Sequence, residues 1–229
     1  MNKRVNSMNK RIFALLLALC MLALCSCSRK GEPTEEGFRD EKSGLEYFFV
    51  KPMGLYPVEP SEEYLTLKEG KTETVFYEVW FEDPQNFLCY EDSGNFFLVR
   101  SEKIKEPTVS EFNPIAASIY GSSNTVFITS FYADNEYLPE DQREHSPTED
   151  SWLCKLIAET LTEGENVSVP VSSENIQDLY YIRLLSQDYP GLYYLVSFFG
   201  FNGRYFLRDD AAGKTVYCPR DIILRMVGE

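Results

Sequence analysis

Thr72-Glu73-Thr74-Val75-Phe76-Tyr77-Glu78-Val79-Trp80-Phe81-Glu82 decides the fold class. Val75, Tyr77, Val79 and Phe81 alternate onto one face, the two-residue period of a strand. Thr74, Phe76, Glu78 and Trp80 fall on the other, so part of that face is expected to be covered too. Glu69-Gly70-Lys71 joins this stretch to a shorter run, Tyr64 to Lys68, and Asp83-Pro84 ends it. A turn between two β-rich runs predicts a hairpin.

The same grammar recurs outward from this hairpin. Leu45 to Val50 predicts a strand. Asn86–Tyr90 and Asn95–Arg100 flank Glu91-Asp92-Ser93-Gly94 as a second hairpin. Thr125 to Ala133 is β-branched and aromatic, and predicts another strand. Leu179–Leu185, Leu192–Phe199, Arg204–Arg208 and Thr215–Cys218 alternate with Pro190-Gly191, Asn202-Gly203 and Ala212-Gly213. They predict a C-terminal β-meander, with Tyr180-Tyr181 expected opposite Tyr193-Tyr194 as cross-strand aromatic pairs; the alternative is a helix over Ile176–Leu185, which Pro190-Gly191 would equally stop. Val167 to Val171, broken by Pro170, is expected at an edge.

Two segments read as helix. Ser146-Pro147-Thr148-Glu149 is a capping box with proline in the first turn. It opens a helix over about 147–163 with Trp152, Leu153, Leu156, Ile157 and Leu161 as its apolar stripe. Asn113-Pro114 before Ile115–Tyr120 and Gly121 carries the punctuation of a second, short helix. Ile222 to Val227 is too short to assign. Hairpins dominate the connections, so the expected class is α+β: mainly antiparallel sheet, one well-formed amphipathic helix and the meander.

The start of the chain has a different character. Lys3-Arg4 and Lys10-Arg11 precede an apolar run from Ile12 to Leu24, and Met-Asn-Lys-Arg occurs at both Met1 and Met8, either of which could open the signal. The 13 residues of that run fall short of the about 20 that a spanning helix needs. Leu24-Cys25-Ser26-Cys27 follows. This pattern resembles the lipobox of bacterial lipoproteins, in which the cysteine thiol receives a diacylglyceryl group before cleavage. The resemblance implies lipid attachment at Cys27, whose preceding Ser26 is small where Leu19 and Leu24 before Cys20 and Cys25 are bulky. It also implies an address: the outer face of a bacterial cell membrane. Residues 1–26 are then signal peptide, 27–43 a lipidated flexible tether reaching roughly 20–25 Å, and 44–229 a single α+β domain.

Beyond residue 26 the chain keeps 18 of its 22 basic residues and all 36 acidic ones, a net charge of −18. Nucleic acid is excluded as a partner, because affinity there comes from Lys and Arg on phosphates. Anionic lipid should repel the domain as well. Cys89, Cys154 and Cys218 are far apart, without metal-ligand spacing; one disulfide or three buried thiols would both fit.

Catalytic motifs are scarce. The single histidine, His145, sits in an acidic stretch, Asp134 to Asp150, directly before the helix cap. There is no Gly-x-Ser-x-Gly turn, no glycine-rich phosphate loop and no zinc or EF-hand pattern. No catalytic residue, metal site or cofactor is assigned. Trp80 and Trp152 are of the type that stacks on sugars, but both lie in core-patterned elements and are expected in the core. The reading favoured is a lipid-anchored, extracytoplasmic binding or interaction module whose partner is an envelope protein or small ligand. The alternative is a small envelope hydrolase using carboxylates, or Ser or Cys with His145.

Overall fold

The computed structural model describes residues 29–50, 53–56, 60–122, 127–132 (backbone only), 152–170 and 175–227. Cys27, His145, the capping box and the whole acidic stretch lie outside them. The strands, in chain order, are β1 (Lys30–Pro33), β2 (Gly37–Asp40), β3 (Glu46–Phe49), β4 (Met53–Leu55), β5 (Glu63–Glu69), β6 (Thr72–Glu78), β7 (Phe87–Asp92) and β8 (Asn95–Ser101). They continue as β9 (Ala116–Tyr120), β10 (Phe127–Tyr132), β11 (Gln177–Leu185), β12 (Leu192–Phe201), β13 (Arg204–Asp209) and β14 (Lys214–Tyr217). Helices α1 (Trp152–Glu163) and α2 (Arg220–Val227) complete the set.

Seven strands close a barrel in the order β1-β2-β3-β8-β7-β6-β5. All its pairs are antiparallel except the one that closes it, β1 on β5, with Lys30 opposite Thr66. The second sheet runs β10-β9-β11-β12-β13-β14, and β4 pairs with the start of β12. It is antiparallel throughout. The fold is thus α+β with a mixed barrel, an antiparallel sheet and two helices among the described residues.

Alternation along β6, β7 and β8 builds two cores at once. Phe76, Leu88 and Val99 point into the barrel beside Phe38, Tyr47, Leu65 and Leu67. Their neighbours Phe87, Cys89 and Leu98 point out, onto Ile119, Ile182, Tyr194, Val196 and Leu207 of the second sheet. Ile157 and Leu161 of α1 and Ile222 of α2 join that outer core. Both faces of these strands are therefore buried, which is why their polar alternation is weak.

Several expectations are corrected. Residues 30–40 are no tether: β1 and β2 are barrel strands, and Phe38 and Asp40 are fully buried. One apolar residue suffices because Arg29, β1 and β2 complete a barrel whose other strands supply the core. Ala116–Tyr120 is the central strand β9, between β10 and β11, not a helix. Asn113 has φ 53°, not the extended conformation of an N-cap, and Ile115 N–H bonds to Leu185 O at 2.8 Å. Sheet pairing overrides the local punctuation.

The helix stripe rotates. Leu153, Cys154, Ile157, Ala158 and Leu161 are buried, Leu156 is half-buried and Trp152 is exposed. Ile222–Val227 belongs to a second helix. Tyr180 opposes Phe198 and Tyr181 opposes Ser197, while Tyr193 and Tyr194 oppose Leu185 and Leu184. The register is constant from Leu185 opposite Tyr193 out to Tyr180 opposite Phe198, so a turn centred near Tyr189 sets Tyr180 and Tyr181 against the far half of β12, beyond Tyr193 and Tyr194. No strand includes Val167–Pro170; Val167 N–H donates to Thr215 O at 2.8 Å. Cys89, Cys154 and Cys218 are free and buried.

Candidate functional site

The barrel has two ends of opposite character. Strands β1, β3, β5 and β7 run toward one rim, where the turns at 34–36, 70 and 93–94 lie. Ser93 (φ 54°) and Gly94 (φ 81°) form the two-residue turn there, the primed geometry that follows the twist of paired strands. That turn sets Tyr90 opposite Phe97, and β6 sets Phe76 opposite Tyr90. The result is an aromatic row across three strands on the inward face. Tyr90 and Phe97 stack at 5.5 Å between centroids, Phe76 and Tyr90 lie at 5.5 Å, and Phe49 meets Tyr90 edge-on at 5.6 Å.

These rings make a graded mouth. Phe76 is the buried floor, Tyr90 is half-buried, and Phe97 and Phe49 are 43% and 52% exposed at the lip. Burial raises the Tyr90 hydroxyl pKa, and the nearby Asp92 carboxylate raises it further. The phenol stays neutral and its ring electron-rich. Around the lip the turns carry Glu35, Glu36, Glu69 and Asp92 against Lys71. Large exposed aromatic faces with an acidic surround can stack on apolar groups and attract cations.

The opposite rim is charged and already paired. Arg29 ion-pairs with Asp40, donating to both carboxylate oxygens, and its guanidinium lies 3.7 Å from the centre of the Tyr64 ring. Burial would raise Asp40, but Arg29, the Ser43 hydroxyl and the Lys42 N–H outweigh it and hold the carboxyl at about 2. Beside this pair is a recess of about 350 Å³ lined by Arg29, Lys42, Glu63, Tyr64, Thr66 and Glu78. It holds two cations and two carboxylates, and its best donor is committed to Asp40. No nucleophilic thiol opens into it.

The remaining residues singled out by sequence are not brought together. Trp80 and Trp152 are 45% and 48% exposed rather than core. Burial pushes the thiols of Cys89 and Cys154 up to about 12, and that of Cys218 higher still, the reverse of an activated nucleophile. Glu82 is raised to about 7 by burial, despite the Gly191 N–H it accepts at 3.3 Å. Among the described residues no group of three or more His, Cys, Asp and Glu side chains is placed to hold a metal ion. Nor is any described helix long and apolar enough to cross a membrane.

No family model matches the chain, and no solved structure does. Among curated proteins it is similar to an uncharacterised lipoprotein of Staphylococcus aureus (strain bovine RF122 / ET3-1), 20% identical over 158 residues. The match covers 69% of this chain and 54% of the relative, so the chain spans about half the length of the protein it matches.

Sequence reasoning missed the mouth. Its signal was the turn. Treating Ser93-Gly94 as a two-residue loop, rather than Glu91–Gly94 as a four-residue one, places Tyr90 directly across from Phe97.

Proposed function

We propose that this protein is a lipid-anchored, extracytoplasmic binding module of a bacterial membrane, acylated at Cys27, that takes its ligand at the aromatic mouth of the barrel. The observation that carries the reading is the exposure of Phe49 and Phe97 at the lip of a row floored by buried Phe76. Exposed rings cost solvation unless something covers them. The lipobox-like Leu24-Cys25-Ser26-Cys27 and the lipoprotein relative support the anchor. The raised thiols favour binding over Cys-dependent hydrolysis.

The acidic lip favours a ligand that presents a cation with an apolar shell, such as a small amine or a basic, aromatic-seeking segment of an envelope protein. NMR titration of the mature protein with tetramethylammonium, against uncharged tert-butanol, tests this. Shifts centred on Phe49, Tyr90 and Phe97 for the cation, lost in Phe97→Ala, are expected. Equal shifts for both probes, or none at the mouth, would overturn the ligand class.

A further inference from the structure

At the charged rim the ends of β1, β5 and β6 lie side by side. β1 begins there, with Arg29 O accepting the Thr66 N–H at 2.9 Å. β5 begins there, and β6 ends there beside it, Glu78 N–H bonding Glu62 O at 2.8 Å and Ser61 N–H bonding Glu78 O at 2.9 Å. Past Glu78, the chain carries Val79 into the core and then turns out. Trp80 and Phe81 stand in solvent, 45% and 73% exposed, their rings 6.2 Å apart.

This projection is built, not frayed. Phe81 has φ 65°, a left-handed conformation that is an outlier for a bulky residue and suits glycine better. The backbone around it is pinned. Gly191 packs so close that a Cβ there would run into the Trp80 carbonyl oxygen, and its N–H donates to Glu82. A strained backbone that holds two large rings in water costs stability, and such outliers point to function.

Where the chain goes next settles what covers the pair. Cys27 is two residues before Arg29, and two extended residues reach at most about 7 Å. Arg29 itself is locked to Asp40 on the rim. An acyl chain on Cys27 therefore leaves the protein at the rim that carries Trp80 and Phe81, and the aromatic mouth opens at the other end.

We infer that Trp80 and Phe81 form a membrane foot, inserting into the interfacial layer of the bilayer that holds the acylated Cys27, so that the barrel stands on the membrane without a tether and its mouth points away. The inference rests on the lipid anchor proposed above. Charge cannot supply this contact, since the chain beyond residue 26 is strongly acidic and anionic headgroups repel it. Tryptophan, however, is enriched at the membrane–water interface. Apolar contact there adds to a lipid anchor much as a second weak signal does.

The test uses the acylated mature protein with Trp152→Phe, which leaves Trp80 as the sole tryptophan of the two in the chain. It is reconstituted into phosphatidylcholine vesicles, with and without phosphatidylglycerol, that carry lipids brominated along the acyl chains. Trp80 emission is expected to shift to the blue and to be quenched most by bromines near the headgroup. Phe81→Gly, which relaxes the backbone and removes one ring, should lose most of that quenching while the melting temperature holds or rises. Iodide reaching Trp80 equally with and without vesicles would overturn the foot. Mass spectrometry of the N-terminal peptide reads the anchor separately. An unacylated Cys27 sinks anchor and foot together, whereas an acylated chain with Trp80 in water sinks the foot alone.

Discussion

Arg29 and Asp40 form an ion pair across the first two strands of the barrel, with Asp40 fully buried and Arg29 stacked on Tyr64. Gly31 and Asp40 are register partners, so the pair fixes where β1 starts and hence where the barrel closes on β5. Removing the cation leaves a buried carboxylate with only the Ser43 and Lys42 donors. Arg29→Ala should cost about 3 kcal/mol in denaturant melts, the lower end for breaking a buried pair because the guanidinium is partly exposed. A loss below about 0.5 kcal/mol would mean that β1 contributes little to the barrel.

Acid should act through the same pair. The folded carboxyl is held at about 2, below its unfolded value near 3.9. Its contribution is complete above the unfolded value and is lost as pH falls from about 4 through about 2. Asp40→Asn should therefore flatten the acid limb of the stability curve in that window, with little further change between pH 5 and 7.

Glu82 predicts the opposite sign. Burial raises its folded pKa to about 7 from the ordinary 4.5, so the native state binds the proton more tightly than the unfolded one. Stability from this group is greatest below about pH 4.5 and falls as pH rises toward 7. Thermal melts of Glu82→Gln should show a smaller decline across that range, and higher stability at pH 7.5 than the parent. An unchanged slope would show that Glu82 is solvated.

The rotated stripe of α1 separates two leucine-sized truncations. Ile157 is 1% exposed, and Ile157→Ala should cost about 2–5 kcal/mol. Leu156 is half-buried, so Leu156→Ala should cost roughly 1 kcal/mol, near the centre of ordinary substitutions. Equal losses in urea melts would restore the stripe as read from sequence.

Anchoring is tested at its own residue. Cys27→Ala should leave an uncleaved precursor that carries no lipid and partitions differently from the parent in detergent phase separation. Wild-type protein with a free N-terminus and no acyl group would remove the basis for the membrane placement.

The hairpins were legible because their signals are local. Gly70, Ser93-Gly94, Asn202-Gly203 and Gly213 each take positive φ between runs of period two, and the pairs β5–β6 and β7–β8 and the strands β12 to β14 follow from them. Two things were not legible. The first four residues of β9, Ala116, Ala117, Ser118 and Ile119, are all buried, and a mostly small-residue strand covered on both faces shows neither period. β1 and β2 carry little apolar surface of their own, and the pairing of β1 with β5 is set by a partner far along the chain. Closure of a barrel is a non-local property, so Lys30–Asp40 read as solvated chain. The aromatic mouth was hidden for the same reason: Phe49, Tyr90 and Phe97 meet only once β3, β7 and β8 are curved into one wall.

The parallel pairing of β1 with β5 has a mechanical consequence. A pull between a lipid on Cys27 and a partner held at the far mouth runs along β1, not across it. The ladder bonds to β2 and β5 lie athwart that load and must yield together, in shear, instead of opening one at a time from an end. With the anchor and the mouth proposed above, the strand that closes the barrel would also be the strap that bears tension between membrane and ligand.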